Sequence, residues 1–138
     1  MTILKKILGS FRKKDAKKIL VVDDEPRLRE LMQTALAVFD CEILLAVNGE
    51  EGVAMAKKHR PTLIIMDMLM PGMSGVEATE RIRLDPVTRA IPVIMCTSMS
   101  VVADVQKCFN AGADDYVVKP LDLKNFRGKI QLALNKAS

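Results

Sequence analysis

Residues 63–75, LIIMDMLMPGMSG, set a single carboxylate, Asp67, at the end of an apolar run and follow it with a proline and glycines. An apolar run of this length, bounded by Pro61 and a Pro-Gly turn, predicts a short strand that is buried on both faces. An unpaired charge is costly inside such a strand. Asp67 is therefore expected at the carboxyl end of the strand.

Apolar runs of the same kind recur on both sides of this stretch. From Lys18 onward, five runs alternate with longer segments of helical period. The runs are KILVV, EILLAV, TLIIM, IPVIMC and DYVVK, and the predicted helices cover residues 26–40, 49–60, 74–84, 100–111 and 122–135. This alternation predicts an α/β fold with a five-stranded parallel sheet that is covered by helices on both faces.

The composition is that of one domain. A chain of 138 residues, of which 49% are hydrophobic, is long enough for one core and short for two. Cys41, Cys96 and Cys108 are widely spaced within apolar segments, so neither a disulfide framework nor a zinc site is expected. Because no apolar run approaches the roughly 18 residues that span a bilayer, a cytoplasmic location is expected.

Positive charge is concentrated at the amino terminus. Residues 1–18 contain seven Lys or Arg and one Asp, a local charge of +6 in a chain of +4, which leaves −2 for the other 120 residues. The body of the protein is therefore not basic, and its pI is no argument for nucleic-acid binding. We divide the chain into a basic amphipathic extension, residues 1–17, and a folded domain, residues 18–138.

The extension has apolar residues at helical spacing opposite lysine and arginine. The apolar positions are Ile3, Leu4, Ile7, Leu8 and Phe11. A lone helix this short is marginal in water. Three roles stay open for residues 2–14: a flexible tail, docking to a partner or to a second copy, and binding to a membrane surface.

Polar residues follow four of the predicted strands at their carboxyl ends. They are Asp23 and Asp24 after the first strand, Asp67 after the third, Thr97 after the fourth and Lys119 after the fifth. Ligands of parallel α/β sheets bind at this edge, so these side chains are expected to converge in one crevice. The alternative is that they merely end strands, where Asp and Thr are common.

The predicted crevice suits a metal ion and a phosphoryl group. Neighbouring carboxylates repel one another unless a cation or shared protons neutralise them. Oxygen-only ligands favour Mg²⁺, whereas catalytic zinc takes histidine or cysteine. With Mg²⁺, the ammonium group of Lys119 and the hydroxyl of Thr97 would cradle a tetrahedral anion, and Asp67 could form an aspartyl phosphate as a nucleophile.

Four motifs at these positions resemble the receiver domain of bacterial two-component response regulators, of which the stand-alone chemotaxis type is closest in size. They are VVDDEP at residues 21–26, MDMLMPGMSG at 66–75, CTS at 96–98 and AGADDYVVKP at 111–120. As a set they are highly specific, and the resemblance covers residues 18–136. It implies a doubly wound, flavodoxin-like sheet with the strand order 2-1-3-4-5.

The resemblance also implies a role for each residue of the crevice. The phosphoryl group would come from a sensor histidine kinase or a histidine phosphotransfer protein, with Mg²⁺ as the cofactor. Asp67 would be the phosphoacceptor; Asp23, Asp24 and Asp67 would hold Mg²⁺ with the backbone carbonyl of Leu69; Lys119 and Thr97 would contact the phosphoryl group; and Lys119-Pro120 would be a cis peptide bond.

In the family, a threonine moves toward the phosphoryl group and an aromatic residue of the fifth strand turns inward. Thr97 and Tyr116 match these two positions. For Tyr116 the alternative is a half-buried strand residue with a solvated hydroxyl. The output surface would consist of the fourth helix, the fifth strand and the fifth helix, with Val101, Val102, Val105, Lys119 and Lys124 as candidate residues.

Two positions depart from what is common in the family. Leu69 and Met99 stand where polar residues are frequent, two residues after the phosphoacceptor and two after the threonine. Apolar side chains over a phosphoryl group hinder an attacking water. We therefore predict slow self-dephosphorylation.

Two other classes of protein fit the motifs less well. A Mg²⁺-dependent phosphohydrolase usually carries a second Asp where Leu69 stands. A flavin-binding module would have a loop rich in Gly, Ser or Thr where Asp23 and Asp24 stand. We expect a switch and not an enzyme, one that binds a protein target or relays phosphate, without an output domain or direct DNA binding; a phosphorylation-linked dimer stays open.

Overall fold

Five parallel strands alternate with five helices along the chain. The computed structural model describes residues 17–98 and 102–137. The elements are β1 (Lys17–Val22), α1 (Pro26–Leu36), β2 (Cys41–Ala46), α2 (Gly49–His59), β3 (Leu63–Asp67), α3 (Gly75–Leu84), β4 (Val93–Thr97), α4 (Val102–Ala111), β5 (Asp115–Val118) and α5 (Leu123–Lys136). The predicted alternation is confirmed, and β1 begins one residue before the predicted start of the folded domain.

The strands form one sheet in the order β2-β1-β3-β4-β5, which confirms the predicted doubly wound topology. The register pairs Val22 with Met66 and Asp67 with Cys96, so β1, β3 and β4 end at nearly the same level. Because all strands are parallel, their carboxyl ends meet at one edge of the sheet. That edge carries the residues that were predicted to line the crevice.

The third strand is covered on both faces. Every residue of β3 from Leu63 to Asp67 is buried. Ile64 and Met66 belong to one core cluster, whereas Leu63 and Ile65 belong to the cluster on the other face of the sheet. A strand without a solvent-facing side is apolar throughout, and the charged residue comes at its end as predicted.

Three of the helices begin directly after a capping side chain. The side chains of Asn48, Ser74 and Asp122 accept hydrogen bonds from backbone N–H groups in the first turns of α2, α3 and α5. The first helix is shorter than predicted, because α1 ends at Leu36 and not near residue 40. The N–H of Phe39 bonds to the carbonyl of Leu36 at 3.0 Å, and the Phe39 ring packs against the core, so the chain leaves the helix to turn this ring inward.

Some predictions fall on residues outside the described ranges: the role of residues 2–14, the side chain of Met99 and the exposure of Val101. Within those ranges, Cys96 and Cys108 are buried and Cys41 is partly buried, and all three thiols are free, as expected. No helix in residues 17–98 or 102–137 is long and apolar enough to span a membrane.

Candidate functional site

The predicted site residues lie at the carboxyl edge of the sheet. Asp23 and Asp24 follow β1, Asp67 ends β3, Thr97 ends β4 and Lys119 follows β5. The backbone N–H of Lys119 bonds to the carbonyl of Thr97 at 2.7 Å, which ties the end of β5 to the end of β4. The strands themselves therefore position this group of residues.

Three carboxylates form an acidic cluster at this edge. One oxygen from each of Asp23, Asp24 and Asp67 lies within 4.8 Å of the other two. Asp23 is completely buried and Asp67 is only 7% exposed. Buried negative charges this close together favour the binding of a cation. Because the side-chain donors are all oxygen atoms, the set fits Mg²⁺ and does not fit zinc.

Lys119 inserts its ammonium group among these carboxylates. Its Nζ lies 3.0 Å from Asp67 Oδ1 and 3.3 Å from Asp23 Oδ2. One ammonium against three carboxylates leaves a formal charge of −2 when all are ionised, the charge that a divalent cation neutralises. The Lys119-Pro120 peptide bond is cis, as the resemblance implied. Lys119 was also predicted as a residue of the output surface, but its ion pairs with Asp67 and Asp23 direct its ammonium group toward the site.

The protonation of the site follows from burial and from these charges. Burial raises the pKa of Asp67 to about 6; the hydrogen bond from Lys119 opposes this rise, and the charge of Asp23 adds to it. Burial lowers the pKa of Lys119, but the hydrogen bond and charge of Asp67 outweigh that effect, so its pKa is raised. At neutral pH, Asp67 is therefore mostly ionised and Lys119 is charged.

Cys96 is the nearest thiol to this site, since it pairs with Asp67 in the sheet. Burial raises the pKa of the Cys96 thiol far above its ordinary value. The thiol is therefore neutral at physiological pH, and a neutral thiol is neither a nucleophile nor a metal ligand. Of the Asp67 and Cys96 side chains, the carboxylate is therefore the one that is ionised at neutral pH.

Asp23 is held by its own turn. Its Oδ1 accepts a hydrogen bond from the backbone N–H of Glu25 at 2.9 Å, which closes an Asx turn before α1. The guanidinium of Arg29 donates to the Asp23 carbonyl at 2.7 Å. Arg29 was not predicted as a site residue. The Asp-x-Glu-Pro pattern of residues 23–26 nevertheless indicates the turn that Arg29 stabilises.

The loop after Asp67 packs closely against β3. A Cβ atom on Gly75 would lie 2.0 Å from the carbonyl oxygen of Asp67, so only glycine allows α3 to begin this close to the strand. Gly72 has a φ of 77°, in the region that glycine adopts most readily. Met70 and Met73 are buried in the core beneath the loop.

Leu69 differs from its neighbours in the loop. It is 52% exposed, whereas Met68 and Met70 on either side of it are buried. An apolar side chain two residues after Asp67 therefore lies on the solvent side of the site. That this side chain hinders water at the site, and that dephosphorylation is slow as a result, stay predictions.

Tyr116 has a half-buried side chain that packs against one core cluster. Its ring meets that of Phe109 from α4 edge to face, with centroids 5.9 Å apart. The Nζ of Lys129 from α5 lies 4.8 Å from the ring centroid. The contacts of Tyr116 with Phe109 and Lys129 were not predicted, because contacts between three separate elements leave no local pattern in a sequence.

The predicted output surface is only partly exposed. Val102 is 79% exposed and Lys124 is also exposed, whereas Val105 is partly buried. Phe109 adds an exposed ring to the same surface, at 44% exposure. The described part of this surface therefore exposes both apolar and charged side chains.

Comparisons with known proteins agree with this geometry. Residues 19–131 match the family model described as a response regulator receiver domain. The chain is 37% identical over 120 residues to the probable transcriptional regulator ycf27 of Porphyra purpurea, covering 87% of this chain and 48% of that protein. It is 33% identical over 119 residues to the DNA-binding dual master transcriptional regulator RpaA of a Synechocystis species, covering 86% of this chain and 49% of that protein. The chain thus spans about half the length of these curated relatives.

Solved structures share the fold over nearly their whole length. The chemotaxis protein CheY4 of Vibrio cholerae has a TM-score of 0.81 and 29% identity, covering 86% of this chain and 99% of that one. The receiver domain of the sensor histidine kinase PA1611 of Pseudomonas aeruginosa has a TM-score of 0.80 and 28% identity, covering 87% and 98%. That structure has a magnesium ion coordinated in its active site cleft.

Proposed function

Because the chain belongs to the family of response regulator receiver domains, we propose that Asp67 accepts a phosphoryl group from a sensor histidine kinase or a histidine phosphotransfer protein. Receiver domains are the phosphorylation-dependent switches of two-component signalling. The observation that carries the proposal is an ionised carboxylate at a strand end, 3.0 Å from the ammonium of Lys119 and within an all-oxygen acidic cluster.

We assign Mg²⁺ to the acidic cluster. Receiver domains bind Mg²⁺ in their active sites, and the charge and oxygen donors of this cluster fit that ion. Asp23, Asp24 and Asp67 would hold it with the backbone carbonyl of Leu69. When bound, the ion would neutralise charge that develops on the transferred phosphoryl group.

The proposed step is a direct transfer to the carboxylate. A carboxylate oxygen of Asp67 attacks the phosphorus of a phosphohistidine, a P–O bond forms as the P–N bond breaks, and the leaving ring nitrogen keeps the electron pair and takes up a proton from solvent. Lys119 holds Asp67 in place before transfer and stabilises the phosphoryl oxygens during it, with Thr97 as the second contact.

We further propose how the signal leaves the site. Thr97 and Tyr116 respond to the phosphoryl group and change the surface formed by α4, β5 and α5, which then binds a protein target or relays phosphate. Several relatives are named as regulators of transcription. For this chain we propose action through protein binding and not through direct DNA binding, because residues beyond 18 carry a formal charge of −2. We place this cycle in the cytoplasm.

The phosphoacceptor is tested by intact mass after incubation with a small acyl-phosphate donor, with and without Mg²⁺. We expect a Mg²⁺-dependent gain of about 80 Da in the wild-type chain, from transfer of one phosphoryl group to a carboxylate. Asp67→Asn should abolish the gain, whereas Asp40→Asn, at an exposed position between α1 and β2, should retain it. No gain in the wild type, or a gain that survives Asp67→Asn, would contradict the proposal.

A further inference from the structure

Lys129 of α5 makes two kinds of contact with Tyr116, a residue of the edge strand β5. Its Nζ donates hydrogen bonds to Asp115 Oδ1, at 3.1 Å, and to the backbone carbonyl of Tyr116. The same ammonium group lies 4.8 Å from the centroid of the Tyr116 ring. One side chain therefore contacts both the backbone and the ring of Tyr116.

The contact between Lys129 and Tyr116 lies at the free edge of the sheet, as the backbone hydrogen bonds of Tyr116 show. The sheet order ends at β5, which pairs with β4 on one side. The N–H of Tyr116 bonds to Asp115 Oδ1 at 2.8 Å, and its carbonyl bonds to Lys129, so both groups have side-chain partners outside the strand ladder. Side chains that cover exposed backbone groups in this way also protect an edge strand from further pairing.

The position of Lys129 defines the orientation of the Tyr116 ring. A ring 4.8 Å from an ammonium group at the free edge is turned toward that edge. Thr97 lies on the opposite side, on β4, where it pairs with Val118, two residues beyond Tyr116. Phe109 contacts the ring from α4, so two side chains from two helices hold it in this orientation.

We propose that Lys129 is the positioning residue that holds Tyr116 in the edge orientation and so opposes the inward turn that accompanies phosphorylation. The inference rests on the proposed function, in which Tyr116 turns inward when Asp67 is phosphorylated. An inward ring leaves the ammonium of Lys129, so this attraction is made in one of the two states only. A contact made in one state shifts the equilibrium toward that state, and its removal shifts it back.

The test follows the ring directly, because Tyr116 is the only tyrosine of the chain. Protein grown with 3-fluorotyrosine gives one ¹⁹F resonance, which is followed while beryllofluoride, an analogue of the phosphoryl group, is titrated in the presence of Mg²⁺. Lys129→Met keeps the apolar stem of the side chain and removes its charge. We expect it to bind beryllofluoride about threefold to tenfold more tightly, the effect of losing one exposed or partly desolvated cation–π contact.

Three further variants separate this role from a structural one. Lys129→Arg keeps a cation and should restore the wild-type affinity. Phe109→Leu removes the other ring contact and should also tighten binding. Lys136→Met removes an exposed lysine from the same helix and should leave the affinity unchanged. If Lys129 only stabilised the fold, Lys129→Met would weaken binding or leave it unchanged, and either result would overturn the inference.

Failure of the proposed function has a different signature. In that case the wild-type resonance would not respond to beryllofluoride, or Asp67→Asn would respond as the wild type does. A wild-type response that requires Asp67, together with an unchanged affinity in Lys129→Met, would leave the proposed function standing and remove the role of Lys129.

Discussion

The ionised form of Asp67 costs free energy in the folded protein, and the contact with Lys119 offsets this cost only in part. Burial and the charges of Asp23 and Asp24 disfavour its ionised form, and the hydrogen bond from Lys119 favours it. A folded-state pKa of about 6 lies above the ordinary value of 3.8, so the folded protein binds more protons than the unfolded chain between these two values. The ionised carboxylate of Asp67 thus destabilises the metal-free protein.

The first prediction concerns this cost. Without Mg²⁺, the contribution of Asp67 lowers the free energy of unfolding as pH rises from about 4 to about 6, and its cost is complete above that range. Asp67→Asn removes the cost but also one partner of Lys119, so we expect a net gain of about 1–2 kcal/mol at pH 7 and little gain at pH 4. Denaturant unfolding in a chelating buffer measures both. Parallel stability curves for wild type and variant would contradict the prediction, and Asp40→Asn is the matched control.

The second prediction concerns Leu69, whose exposed apolar side chain follows Asp67 by two residues. If it shields the phosphoryl group from water, Leu69→Asn should speed the loss of the phosphoryl group by about threefold to tenfold, since a polar side chain admits and orients water. Leu84→Asn changes an 82% exposed leucine at the end of α3 and should leave the rate unchanged. Decay of the added mass after removal of the donor gives the rates. A wild-type half-life of seconds at room temperature would refute the shielding.

At the scale of elements, the start of α3 is as important as the end of β3. The N–H of Gly75 bonds to the carbonyl of Met68 at 2.9 Å, and the missing Cβ lets the helix begin against the strand. The backbone of Asp67 and Met68 is thereby held against the start of α3. Precise placement of a reactive group on a rigid element is what a phosphoacceptor needs.

The third prediction compares two glycines. Gly75→Ala places a Cβ atom 2.0 Å from the carbonyl oxygen of Asp67, so the strand or the helix must move, and we expect a loss of about 2–4 kcal/mol together with slower phosphorylation. Gly128→Ala in α5 meets nothing within 4 Å and should stabilise the protein by about 0.5–1 kcal/mol, as alanine does in a helix interior. Thermal or denaturant unfolding of both variants checks the contrast. Equal losses would show that the close approach at Gly75 has no special role.

Elements with a strong local pattern were predictable, and contacts between elements were not. The apolar run of β3 and the cap at Asp122 are local signals, and both agree with the structure. The early end of α1 depends on where Phe39 finds room in the core, which a sequence period does not report. Lys129 was overlooked for the same reason: only the assembled sheet edge brings it to Tyr116.

At the scale of the whole molecule, the candidate site belongs to no single element. Its three carboxylates come from the ends of β1 and β3, and Lys119 comes from the end of β5. These segments meet only when the sheet is assembled, so the unfolded chain has no such cluster. A cation bound at the cluster therefore stabilises the folded chain as a whole.

The last prediction is that Mg²⁺ raises the thermal stability in proportion to the occupancy of this site. At 100 times its dissociation constant, a ligand that binds only the folded state adds about 2.7 kcal/mol, so the midpoint of unfolding should keep rising with the logarithm of the Mg²⁺ concentration. Asp24→Asn should reduce the response because it removes one negative charge from the cluster and leaves Asp67 in place, and the exposed Asp40→Asn should preserve it. Protons compete with Mg²⁺ for Asp67, so the response should be smaller at pH 5 than at pH 7.

Sodium chloride at matched ionic strength is the control that separates binding of Mg²⁺ from general screening of charge. An equal effect of both salts would mean that the three carboxylates are neutralised without a bound cation, and the proposed role of Mg²⁺ in phosphoryl transfer would fall with it.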